Sequence, residues 1–127
     1  MAMLRRLGAA AVIACAALAT LPTAASADEI PIITGKQWTQ TTEPMKKAYL
    51  VGIANILQVE AAYHAEHAPP DSQSLLPRLS QGMTGETLDS VRDRLDRWYA
   101  ANPDKLNRPV IETIWFELVL PKLQTKK

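Results

Sequence analysis

The side chains best placed for chemistry in this chain are Glu60, Tyr63, His64, Glu66 and His67. On a helix, Glu60 and His64 stand four apart and His64 and His67 three apart, so all three would share one face. Imidazole and carboxylate at that spacing bind zinc or copper when a further ligand or a water completes the shell. Glu60, His64 and His67 are therefore a candidate metal set. A plainer reading serves the same residues, because cations near a helix C-terminus are favoured by its dipole. Other chemistry has less to work with. There is no G-x-S-x-G elbow and no Gly-rich phosphate loop, and the two histidines lie together. Asp89, Asp93 and Asp96 alternate with Arg92, Arg94 and Arg97, the pattern of a solvated helix face rather than of catalytic carboxylates or a nucleic-acid footprint. No catalytic residue is nominated, no cofactor is required, and a non-enzymatic protein that does not bind nucleic acid is expected.

The elements that must position these residues are helical. Residues 28–40 read as an irregular lead broken by Pro31 and Gly35. A first helix is expected from about Pro44 to His67, with Met45, Tyr49, Gly52, Ile53, Ile56 and Leu57 as its buried stripe. Gly52 costs such a helix about 1 kcal/mol against alanine, which points to close approach of another helix there. Pro69-Pro70 ends it. A short helical tendency over Ser72–Leu76 is cut by Pro77. The second long helix is expected from about Gly85 to Ala101, with Thr84 as N-cap and Leu88, Val91, Leu95 and Trp98 as its seam. Asn102-Pro103 stops it. A third begins near Asn107 and ends at Pro121, so that 41–121 forms the helical domain and 122–127 a loose tail. No run alternates with period 2, so the fold class is all-α: a compact bundle of three main helices plus one short helix.

The first 27 residues read as an export signal. Arg5-Arg6 form the basic region, Leu7–Leu21 the apolar run, and Ala25-Ser26-Ala27 a small-residue cleavage site. The run is shorter than the roughly 18 residues a spanning helix needs, so cleavage after Ala27 and a periplasmic or secreted protein are expected, with no membrane span. A second reading makes Val12-Ile13-Ala14-Cys15 a lipobox and anchors the chain by lipid at Cys15. Cleavage at Ala27 removes the single cysteine and two of the 14 basic residues, leaving 12 against 13 acidic ones. Packing alone must then stabilise the domain, with Trp38, Tyr49, Tyr63, Trp98, Tyr99, Trp115 and Phe116 as its aromatic complement.

Several landmarks carry a family resemblance. Ile33-Thr34-Gly35-Lys36-Gln37-Trp38 followed by Lys46-Lys47-Ala48-Tyr49-Leu50-Val51-Gly52 looks like a "G-x-x-W … K-x-x-Y-x-x-G" opening. Gly82-Met83-Thr84, Leu88, Val91, Leu95 to Tyr99, Asn102-Pro103, Leu106, Arg108-Pro109 and Pro121 follow it. Together they resemble the Rap/Tai family of immunity proteins, of which this chain would be a divergent, cysteine-less member. The resemblance spans about Thr34 to Pro121. It implies a periplasmic protein that neutralises a type VI secretion amidase effector by occlusion. The polar stretches His67–Gly85 and Asn102–Arg108 are the candidate contact elements. Asn102, Lys105 and Arg108 are the candidate contact residues within the turn, with Tyr99 off the main seam. Trp38 either plugs the bundle or joins that recognition surface.

Overall fold

Helices account for most of residues 30–67 and 74–125, the parts of the chain that the computed structural model describes. They are α1 (Gly35–Gln40), α2 (Glu43–Glu66), α3 (Leu75–Met83), α4 (Leu88–Ala101) and α5, a continuous helix over 110–125. No strand occurs among the described residues, and the all-α bundle is as expected. Its main helices are α2, α4 and α5, α3 is the short one, and α1 is an addition within the lead read as irregular. No helix among the described residues is long and apolar enough to cross a membrane. The export segment, Cys15, Pro69-Pro70 and Ser72 lie outside the described residues.

α1 forms because both its ends are held. The Gln37 side-chain oxygen accepts the Thr34 N–H at 2.8 Å, one half of a capping box. The lead is also stitched to the turn before α5, since Gly35 and Lys36 donate to the carbonyls of Arg108 and Leu106 at 3.0 and 2.8 Å, and Val110 donates to that of Ile33 at 2.9 Å. Gly35 permits this approach, because a Cβ there would land in the Tyr99 ring.

Helix starts and stops follow local chemistry, with some shifts from expectation. α2 begins with Pro44 in its first turn, where the missing N–H costs nothing. Pro77, expected to cut a helix, sits in the first turn of α3 for the same reason. Thr84 caps the C-terminus of α3 instead of opening α4, and Gly85 turns the chain with φ +82°. α4 starts at Leu88 behind Thr87, whose hydroxyl accepts the Ser90 N–H at 3.0 Å while the Ser90 hydroxyl accepts the Thr87 N–H at 2.9 Å. Pro121 does not end α5. Residues Ile114–Val119 widen into a π-helix, with Leu120 donating to Trp115 O. The wider turn accommodates a proline that lacks an N–H and would crowd the carbonyl four residues back. The helix therefore continues to Thr125, into the segment read as a loose tail.

The core is Trp38, Leu50, Leu79, Val91, Leu95, Tyr99, Val110, Ile114, Leu118 and Val119. The α4 seam lies as expected, with Val91 and Leu95 buried and Leu88 and Trp98 half-buried. α2 differs. It buries Lys46 and Leu50, with Tyr49, Ile53 and Leu57 half-buried, and leaves Met45, Gly52 and Ile56 exposed. The close helix approach expected at Gly52 occurs at Gly82, where a Cβ would collide with Val119 of α5. Of the aromatic complement, Tyr63 and Phe116 lie on the surface.

Candidate functional site

The end of α4, the turn 102–109 and the middle of α5 bring together one cationic and aromatic surface. Asn102 opens the turn by donating its side-chain N–H to Trp98 O at 2.8 Å, which satisfies a terminal carbonyl of α4. The turn then carries Lys105 and Arg108 back over the indole of Trp98. The Lys105 ammonium stands 6.0 Å from its ring centre and the Arg108 guanidinium 5.1 Å. Arg108 is also 5.2 Å from the Phe116 ring and donates to Glu117 Oε1 at 2.8 Å. Its guanidinium is thus fixed between two aromatic rings and a carboxylate, contacts worth about 0.5–1 kcal/mol each at exposed sites. Beside it, Arg94, Arg97, Trp98, Glu117 and Leu118 line a shallow hollow of about 310 Å³.

Asn102, Lys105 and Arg108 therefore come together, whereas Trp38 and Tyr99 do not join them. Each of these two is 1 % exposed and has no surface to offer a partner. Trp38 plugs the bundle. Its indole N–H donates to Asp96 Oδ1 at 2.7 Å, and the Lys46 ammonium donates to the same oxygen at 3.0 Å. Burial alone would lower the Lys46 pKa, but hydrogen bonds to Asp96 and Glu43 outweigh it and raise the group above its ordinary value. The Tyr99 hydroxyl donates to Arg108 O at 3.0 Å and lies 2.9 Å from the Thr113 hydroxyl. Tyr99 consequently supports the backbone beneath the surface. Burial raises its pKa. Phe116 and Glu117 are the members that the sequence reading missed. Position 116 falls off the Val110, Ile114, Leu118 stripe, and that offset is the signal that could have placed it outside.

The candidate metal set is not assembled. His64 Nε2 meets Glu60 Oε1 at 2.6 Å, but His67 Nδ1 turns to Tyr63 O at 2.9 Å and its ring stacks on Tyr63 at 4.3 Å. Among the described residues no three His, Cys, Asp or Glu side chains stand close enough to share a metal ion. Stacking and a local hydrogen bond thus take His67 out of the set.

The largest hollow is a groove of about 440 Å³ between α2, α3 and the start of α4. Leu50, Ile53, Leu57, Met83, Leu88 and Val91 line it, with Gln58, Thr84 and Thr87 at its rim. Glu86 is the one ionisable group in that lining, and the fold already occupies it. Lys122 and Arg94 donate to its Oε1, and the Ser90 hydroxyl donates to Oε2 at 2.6 Å. Burial would raise its pKa, but the bonds from Lys122 and Ser90 and the charges of Lys122 and Arg94 hold it below the ordinary carboxylate value.

No family model, curated protein or solved structure matches the chain.

Proposed function

We propose that this chain is an exported, non-enzymatic helical protein that acts by presenting the Trp98 surface to a partner protein. The observation that carries the reading is the clamped Arg108. Trp and Arg are enriched among the residues that dominate binding energy, and pre-ordering lowers the entropy lost on association. Arg94, Arg97, Lys105 and Arg108 around a single Glu117 favour an acidic partner surface. The signal-like segment 1–27 supports action outside the cytoplasm after cleavage at Ala27. The Rap/Tai resemblance supplies the concrete form, namely an immunity protein that occludes a type VI secretion amidase effector in the periplasm.

Co-expression tests it. Cells that export such an amidase together with the wild-type chain survive, and cells carrying a Lys105→Glu, Phe116→Ala double variant lyse. Both positions are exposed, so the double variant keeps the wild-type melting temperature. Lysis with the wild-type chain rejects the immunity role. Equal survival with the double variant rejects the Trp98 surface.

A further inference from the structure

α2 carries more apolar surface than its own fold uses. Met45, Ile56, Val59 and Tyr63 are 61, 56, 68 and 55 % exposed, away from the face that holds Lys46, Leu50 and Leu57. At helical spacing Met45, Gly52, Ile56, Val59 and Tyr63 fall on one stripe. No charged side chain occurs between Lys47 and Glu60. Gly52 lies within the stripe, and a Cβ built there would meet no atom within 4 Å. The notch above it is open, and nothing else in the fold explains a residue that weakens the helix.

We propose that this stripe is a homodimer contact, in which α2 of a second copy lies antiparallel across it and each Ile56 fills the notch above Gly52 of the partner subunit. A second copy is the occupant that the stripe itself fits. About Ala54 it is complementary in bulk from end to end: Ile56 and Gly52 stand equally far to either side, and so do Tyr63 and Met45. A two-fold axis at that level sets knob against notch twice and aromatic ring against thioether twice, as an isologous interface requires. A parallel copy in register would set notch against notch. Antiparallel packing also aligns the two helix dipoles favourably and brings no charge into the window 48–59. A charge-free face offers nothing to steer an acidic or basic partner, unlike the Trp98 surface. One helix face is smaller than the roughly 800 Å² per partner of a standard interface, so dissociation falls on the order of 10–100 µM. The contact is independent of the Trp98 reading.

Sedimentation of the processed chain from about 1 µM to about 1 mM spans that range and is expected to show monomer passing to dimer. Gly52→Leu fills the notch and Ile56→Glu charges the knob. Each is expected to weaken the dimer at least about 10-fold, and the melting temperature of the dilute monomer shows that the variant is folded. With no cysteine after Cys15, crosslinking is clean. A Gly52→Cys chain mixed with an Ile56→Cys chain is expected to give the mixed disulfide in preference to either homotypic one. A monomer at every concentration overturns the proposal, and one that floats with lipid vesicles hands the face to a membrane surface instead. A dimer untouched by both substitutions, or homotypic crosslinks that outrun the mixed one, overturns it as well.

Discussion

Replacing Asp96 by Asn and replacing Lys46 by Met should have unequal effects, although both remove the same ion pair. Lys46 is 8 % exposed, and its ammonium is held by Asp96 at 3.0 Å and Glu43 at 3.1 Å. Asp96→Asn keeps an oxygen for the Trp38 indole N–H but strands a buried cation with one partner. Breaking a buried pair costs 3–5 kcal/mol when the survivor is left alone. Here Glu43 remains and the Asp96 side chain is 35 % exposed, so about 2 kcal/mol is expected. That is roughly 30-fold in the folded-to-unfolded ratio, and a melting temperature lower by roughly 8–16 °C. Lys46→Met removes the cation that needs desolvating and leaves Asp96 bonded to Trp38, so its effect should stay within about 1 kcal/mol of zero. Urea unfolding at pH 7, followed by tryptophan fluorescence and far-ultraviolet circular dichroism, reads both from the shift in midpoint at unchanged slope. Equal destabilisation by the two variants would refute the reasoning, because net attraction rather than the cost of a stranded charge would then dominate.

Acid should act through Glu86. Its folded-state pKa lies below its ordinary value of 4.5, so its contribution is present above that value and is lost as pH falls through the folded pKa. Urea midpoints between pH 6 and pH 3 should therefore decline less steeply for Glu86→Gln than for the wild type. The two helical glycines should respond with opposite signs. Gly82→Ala drives a methyl into Val119 and should destabilise by about 1–3 kcal/mol. Gly52→Ala meets open space, so the dilute monomer should gain up to about 1 kcal/mol.

How far the sequence could be read depends on the element. α4 was legible because its apolar residues occupy one face only, so the 3.6-residue period identifies the inside without ambiguity. α2 was not, because apolar residues cover both the Leu50 side and the Ile56 side, and periodicity alone cannot say which side meets the core. α1 escaped notice because its stability comes from hydrogen bonds to residues 106 and 108, far along the chain. The extension of α5 past Pro121 needed a π-helix, which no local pattern announced. At the candidate surface, Asn102, Lys105 and Arg108 were readable as polar turn residues between helices. Phe116 and Glu117 reach the same place only through the packing of α5 against α4. The His67 ring was misread because helical spacing fixes where a side chain starts, not which neighbour it stacks on.

The most direct test of the binding account is the affinity of the wild-type chain for a purified periplasmic amidase effector, set beside that of Lys105→Glu and Phe116→Ala. The account predicts that each substitution weakens binding at least about 10-fold, and that wild-type affinity falls as salt screens the cations around Arg108. Affinity unchanged in both variants and indifferent to salt would contradict it.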